Sequence, residues 1–270
     1  MKILVINLPS ATERRARLQA RADQLGLEIE FLIASGFDDL DEATLNRLAS
    51  YWMRKIPGKD IGCFRSHFRA WEQVSKLDVP VLICEDDAVL GDTLAETLNH
   101  IEKHIKDDHV YDLETVPRRH LLAKKPLWTS NGDPEISARR IYQNKMGAGA
   151  YVLMPFIAQK LVRKTAGKYV MVDAYLWTRP WIKSYQIEPA PAFQDRCLDA
   201  YFGITQEEQK PSGQPNDKRV YGAGRWTFKS RMRRLGLELA TVPLILIGLV
   251  RGQHRHIAIN PETFDIDVER

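Results

Sequence analysis

Cysteine is scarce in this chain. Three thiols, Cys63, Cys84 and Cys197, are spread over 270 residues, are odd in number and form no Cys-x-x-Cys pair. That argues against a disulfide framework, and reduced thiols in the cytosol are the simplest reading. Long apolar runs are missing as well. The opening MKILVINLP breaks at Pro9, too soon for a signal peptide, so no export signal is expected. The run LGLELATVPLILIGLV, Leu235 to Val250, contains Glu238 and Pro243 and falls short of the roughly 20 residues a spanning helix needs. There is no internal repeat and no low-complexity tract. A general excess of positive charge is absent too. The formal net charge is +4, but seven Lys/Arg against one acid lie between Arg225 and His256, which leaves the rest of the chain at −2. A nucleic-acid binder would carry its positive face on the folded domain, so the expectation is no nucleic acid and a C-terminal basic patch with its own partner.

What is present suits one large α/β domain, since 44% of the residues are hydrophobic. Lys2 to Leu8 reads as a strand, and Ser10 as the cap of a helix from about Ala11 to Leu25 that Gly26 closes. Further strands are expected at Glu28–Ala34, Val79–Cys84, near Val110–Val116, near Arg139–Tyr142 and at Gly149–Met154. Helices are expected at Leu40–Ser50, Gly62–Lys76 and, with Pro155 in its first turn, Pro155–Thr165. Lys55–Lys59 reads as a loop. Strands separated by helices in this order predict a mainly parallel sheet with helices on both faces, a Rossmann-like architecture.

Within that order, VPVLICEDDAVLG places three carboxylates, Glu85, Asp86 and Asp87, at the carboxyl end of a buried strand. Ligands of open α/β sheets bind beyond those ends, so the acids face the crevice. Residues 85 and 87 point the same way in extended chain, and paired hard oxygens suit Mg²⁺ or Mn²⁺ with a substrate diphosphate. The same triplet also fits an acidic cap for a helix starting near Asp92.

Four blocks carry a resemblance. VINLPSATERR, IGCFRSHFRAWEQV, VLICEDDAVL and GAGAYVLMPFIAQKLV occur in the order found in glycosyltransferase family 25, the bacterial lipopolysaccharide or lipooligosaccharide glycosyltransferases related to collagen β-galactosyltransferases. The resemblance covers roughly residues 1–200. It implies a GT-A fold, a UDP-sugar donor, often UDP-galactose, a divalent metal and transfer with inversion. Carried onto this sequence, it makes Asp87 the principal metal ligand and Glu85 a ligand of the metal or of the ribose, with Asp86 orienting the donor. It also favours a donor-site role for Ser66 and His67, although their adjacency means that only one of them need enter the crevice. Asn7 and Arg14, at the end of the first strand and the start of its helix, are placed to reach the nucleotide. Where the family often has Ala-x-Asp-Gly, this chain has Ala34-Ser35-Gly36, with Asp38 and Asp39 as possible substitutes.

An inverting transferase needs a base opposite the leaving group. Asp173, in YVMVDAYLW, is the first candidate and Asp195 the second. For Asp173 the alternative is a cap for a helix starting at Ala174. His254 and His256 are possible third metal ligands, though a surface patch is the simpler reading. The apolar segment 235–250 is flanked by Lys229, Arg231, Arg233 and Arg234 on one side and Arg251, His254, Arg255 and His256 on the other. Such a segment can lie in an anionic membrane interface, near a lipid-linked saccharide acceptor, or fold back as a core helix. The expected organisation is a GT-A-like catalytic domain over 1–205, a linker or mobile loop over 206–224 and a helical, membrane-associating appendage over 225–270. The whole would sit in the cytoplasm, peripheral on the inner face of the membrane. Two other classes fit the residues: a non-catalytic nucleotide-sugar or glycan-binding relative, and a metal-dependent phosphotransferase or phosphohydrolase. The latter usually needs a nucleophilic Asp after the first strand, where Asn7-Leu8-Pro9 stands.

Overall fold

The computed structural model describes residues 1–52, 54–143, 147–203, 219–222 and 228–266. The expected linker therefore lies mostly outside the described residues.

The first half alternates as expected. β1 (Lys2–Asn7) leads into α1 (Thr12–Gln24), β2 (Ile29–Ile33) and α2 (Glu42–Ala49). Ser10 does not cap α1: the N-cap is Ala11, with no side-chain hydrogen bond, and the turn is closed by Ala11 N–H donating to the Leu8 carbonyl. Asp41 caps α2 by accepting from Thr44 N–H, so that helix starts two residues after Leu40. In place of the expected loop, β3 (Ile56–Pro57) is a short strand, and α3 (Gly58–Val74) begins four residues earlier than its apolar periodicity indicates. β4 (Val81–Glu85) and β5 (Ala88–Leu90) precede α4 (Leu94–His104).

The second half is richer in strands than the sequence shows. It runs β6 (His109–Asp112), β7 (Glu114–Thr115), β8 (Arg119–Ala123), β9 (Trp128–Thr129), β10 (Ser137–Gln143) and β11 (Ala150–Leu153), then α5 (Pro155–Thr165) and α6 (Val172–Leu176). β12 (Lys183–Glu188), β13 (Ala192–Gln194), α7 (Leu198–Phe202), β14 (Val220–Tyr221), α8 (Phe228–Arg251) and β15 (Gly252–His256) complete it.

The main sheet has the order β15-β8-β10-β12-β6-β11-β4-β1-β2, with β9 on β10. β2, β1 and β4 are parallel, as are β6 and β12, while the remaining joins are antiparallel. The α/β class with a Rossmann-like parallel half is thus present, and β11, antiparallel between β4 and β6, makes the whole sheet mixed. A second sheet, β5-β13-β7, pairs Gln194 with Ala88 and lies just past the acidic turn.

Side chains of β1 and β4 alternate between two cores. Leu4, Ile6, Val81 and Ile83 pack with Phe64 and Trp71 of α3 and Leu161 of α5. Ile3, Val5, Leu82 and Cys84 pack with Leu18 of α1 and Leu98 of α4. Helices therefore cover both faces, and Cys84 is a packing residue. All three cysteines are free thiols. After α8 the chain returns to the sheet: β15 pairs with β8, and Phe264 packs on Phe193.

Trp71 is fully buried and donates its indole N–H to the Tyr151 hydroxyl at 2.8 Å. Trp71→Ala removes that volume and leaves Tyr151 without its donor, so equilibrium urea unfolding should show a loss of about 3–5 kcal/mol.

Candidate active site

The acidic turn joins β4 to β5 and caps no helix: α4 starts only at Leu94, and its N-cap Thr93 makes no side-chain bond. The register puts Glu85 beside Ile6 and Asn7 beside Ile33, so the turn, the exit of β1 and the exit of β2 share one edge of the sheet.

The three carboxylates do different things. Asp86 is buried and turned toward β1, where it accepts from Asn7 Nδ2 at 2.7 Å and Leu8 N–H at 3.1 Å and pairs with Arg14 at 3.1 Å. Burial raises its pKa, and Arg14, Asn7 and Leu8 pull against that. Glu85 points the other way. Its Oε1 accepts from His67 Nε2 at 3.0 Å and Cys63 Sγ at 3.6 Å, and its Oε2 accepts from Gln194 Nε2 at 2.9 Å. Burial opposes its ionisation, but the hydrogen bond and charge of His67, with help from the Cys63 hydrogen bond and the charge of Arg196, lower the pKa. Asp87 shares the Gln194 amide at 3.5 Å and is pushed up to about 7, first by burial and then by Glu85, Asp195 and Asp86.

Behind this pair lies Glu114, wholly buried, with Oε1 accepting from Gly149 N–H at 2.8 Å and Oε2 without a partner. Burial raises its pKa to about 8. Gly149 is required here, because a Cβ would stand 2.6 Å from Glu114 Oε2 and 2.8 Å from Gln194.

A cavity of about 290 Å³ opens in front of the turn. It runs from Arg14 and the carboxylates to Phe37, Asp38 and Arg219. α3 holds its outer wall. Ser66 Oγ accepts from Ser35 N–H at 2.9 Å and donates to the Gly62 carbonyl at 2.8 Å, while Arg69 binds the Ile33 carbonyl at 2.9 Å. Arg65 engages Asp39, which leaves Asp38 as the acid at the cavity, paired with Arg219 at 2.7 Å. Ser66 and His67 both line the cavity, contrary to the expectation that one suffices. Neighbours about 100° apart on a helix face different walls, and here the loop after β2 lies on one side and β4 on the other.

The remaining sequence candidates are placed as follows. Asn7 and Arg14 hold Asp86, and Arg14 also lines the cavity. Asp195 forms a two-point pair with Arg17 at 2.9 and 2.7 Å, and its backbone N–H donates to the Asp87 carbonyl. Asp173 sits in the first turn of α6, whose N-cap is Met171, and its carboxylate accepts from Ala174 N–H at 2.6 Å. Burial raises its pKa, with Asp60 adding to the rise. Neither Asp173 nor Asp195 is among the cavity-lining residues. His254 and His256 lie on β15, six strands away from β4, which takes them away from the acidic turn. Sequence reasoning missed Gln194, Glu114, Tyr151 and Arg219. It also missed Cys63, which shares Glu85 Oε1 with His67 and whose i, i+4 spacing from it puts both on one face of the helix.

An Asp87 that ionises near 7 instead of 3.8 keeps a proton that the unfolded chain has lost. The stability this proton contributes is full below pH 3.8 and disappears as pH rises through about 7. Metal-free Asp87→Asn should therefore exceed the wild type by about 1–2 kcal/mol at pH 8, a figure reduced for the solvent that reaches the side chain, and match it at pH 4; urea titrations at the two pH values measure this.

Comparison with known proteins adds the family. A "Glycosyltransferase 25 family member" of Drosophila pseudoobscura pseudoobscura is 28% identical over 188 residues, which is 64% of this chain and 29% of that protein. Its counterpart in Anopheles gambiae is 27% identical over 64% of this chain and 31% of its own length. The chain thus spans under a third of the insect relatives it matches. "Lipooligosaccharide biosynthesis protein lic2B" of Haemophilus influenzae is 22% identical over 72% of this chain and 76% of its own length. Residues 1–176 match the family described as Glycosyltransferase family 25 (LPS biosynthesis protein), and the chain belongs to that family.

Proposed function

We propose that this chain transfers a hexose, galactose by family habit, from a UDP-sugar to a saccharide acceptor of the lipopolysaccharide type, with inversion and with Mn²⁺ or Mg²⁺ bound at Glu85 and Asp87. The observation that carries this reading is the convergence of Glu85 Oε2 and Asp87 Oδ1 on one Gln194 amide, at the mouth of the cavity and at the carboxyl end of β4. The donor set fits a hard divalent cation: two carboxylate oxygens converge, Asp87 is pushed up by burial and then by its like-charged neighbours, and Gln194 Oε1 has no partner. When bound, the cation offsets the charge that develops on the departing diphosphate.

The other residues bind and orient. Phe37 offers a ring for the base, with the Arg219 guanidinium 5.1 Å from its centroid, and Asp38 offers a carboxylate to the nucleoside. Arg14 brings positive charge to the diphosphate side. His67 and Gln194 fix the two oxygens of Glu85. Asp173, although outside the cavity lining, is the candidate for the base that takes the acceptor proton: burial raises its pKa, and Asp195 is engaged by Arg17. A phosphotransferase reading lacks its nucleophile, since the Asn7 side chain is committed to Asp86 and the Ala11 carbonyl.

The acceptor side involves α8. Among the described residues no helix is long and apolar enough to cross a membrane. Yet α8 exposes Leu235, Leu239, Leu246 and Leu249, and Val250 is 75% exposed. Arg231 flanks this face at one end and Arg251 at the other, while Arg234 is paired with Glu238 at 2.6 Å and Arg255 with the buried Glu188 at 2.8 Å. Such a helix lies in the interface of an anionic membrane, each cation contributing about 1 kcal/mol. The enzyme would then work at the cytoplasmic face on a lipid-linked acceptor, in keeping with the name of the Haemophilus relative.

Calorimetry with UDP should show binding with Mn²⁺, little without it, and a loss of at least about tenfold in Asp87→Ala; absence of UDP binding under every condition would sink the reading. Separately, Leu239→Glu with Leu246→Glu should abolish sedimentation with anionic phospholipid vesicles at low salt while leaving UDP affinity as it was. Vesicle binding unchanged by the pair would remove α8 from the membrane.

A further inference from the structure

Glu85 has two oxygens with different surroundings, and the hard-cation reading uses only one of them. Oε2 faces Gln194 and Asp87. Oε1 faces Cys63 and His67, one helical turn apart on α3. One atom from each of Cys63, His67 and Glu85 lies within 4.8 Å of the other two, and this is the one such group of three found among the described residues. We propose that Cys63 Sγ, His67 Nε2 and Glu85 Oε1 form a second cation site, for a thiophilic divalent ion of the Zn²⁺ type, behind the diphosphate site.

Three features support the assignment. The first is spacing. A tetrahedral zinc with bonds of about 2.0 Å to N and O and about 2.3 Å to S has edges of about 3.3 Å for N···O and about 3.5 Å for S···O. The structure has 3.0 Å for His67 Nε2 to Glu85 Oε1 and 3.6 Å for Cys63 Sγ to Glu85 Oε1. Two of the three edges therefore already stand close to coordination distance, the Cys63 to His67 edge lies within 4.8 Å, and an ion would take the place of the two protons that now bridge to Glu85.

The second feature is support from outside the ligands. His67 Nδ1 lies 2.8 Å from the Tyr151 hydroxyl, which also accepts the Trp71 indole N–H, so the ring is held with Nε2 toward the carboxylate. Metal-bound histidines are commonly oriented in this way through the far nitrogen. The third feature is access. Cys63, His67 and Glu85 all line the cavity, so an ion has a way in and a fourth position for water or a substrate oxygen.

The two sites differ in ligand chemistry. Thiolate and imidazole select zinc-like ions, whereas the oxygens of Glu85 and Asp87 suit Mg²⁺ or Mn²⁺. The proposal does not depend on the transferase reading, because its readout is the metal and its sulfur ligand. Co²⁺ reports both, since a cobalt–thiolate bond gives a near-ultraviolet charge-transfer band.

The test is titration of the metal-stripped protein with Co²⁺. The expected result is a charge-transfer band that saturates at one equivalent, disappears on adding Zn²⁺, survives in Asp87→Ala and is lost in Cys63→Ala. Tyr151→Phe should weaken the binding by about 10–100-fold. Absence of the band in the wild-type protein overturns the proposal without reference to any variant. Persistence of the band in a Cys63→Ala protein of native circular dichroism assigns it to another thiol and overturns the proposal as well. Loss of the band in Asp87→Ala would merge the two sites into one and refute their separation.

Discussion

A carboxylate that leaves water has to find donors close by, and Asp86 finds them in the element it must be tied to. Asn7, Leu8 and Arg14 all belong to the exit of β1 and the start of α1, and all three converge on this one side chain. Glu85, the last residue of β4, and Asp87, in the turn that follows, meet instead at the Gln194 amide. The middle acid of the triplet is thus a strap between the ends of β1 and β4, and the outer two become available for chemistry. Remove the strap, and the edge shared by β1, β2 and β4 loses the bond that fixes how its two central strands end.

The cost of that arrangement is crowding. Burial raises the pKa of Asp87 and of Glu114, the charge of Glu85 adds to both, and the fold resolves the conflict by giving the three acids different surroundings. His67 lowers Glu85, whereas Asp87 is held near 7 and Glu114 near 8. At neutral pH the pocket therefore holds fewer charges than acids. A cation entering it displaces protons, so its occupancy rises with pH. The partnerless oxygens of Glu114 and Gln194 mark the same shortage of positive charge and of donors.

The parallel half of the fold was legible because local pattern and tertiary context agree there. Apolar runs ending at Asn7, Ile33 and Glu85, each separated by an amphipathic helix, can hardly fold otherwise. The acidic edge was legible for the same reason. Gln194 and Glu114 were not, since strands of two and three residues in the β5-β13-β7 sheet carry no periodicity, and their pairing joins segments far apart in the chain. The role of Asp86 escaped notice because a triplet of like charges invites one shared explanation. Ser10 had the right chemistry for a cap, but the chain closed its turn through backbone atoms alone. The short strand β3 was hidden because its partner, β14, lies within the segment read as a linker.

The position of α8 constrains how an acceptor reaches the site. Gly248 lets the helix lie directly on the sheet, since a Cβ there would meet Leu121 and Tyr142 at 2.7 Å, and β15 then locks the chain onto β8. The apolar face is therefore presented from a rigid base at the sheet edge. α8 rests on β8 and β10, and from β10 to β4 the sheet crosses four strand spacings, about 19 Å at the usual separation. On the proposed reading the lipid anchor of an acceptor sits beneath α8 while its terminal sugar has to reach the carboxylates across that distance. A monosaccharide attached directly to lipid is too short for this. Several linked sugars would span it, so the placement of the helix favours extending an existing oligosaccharide over starting one.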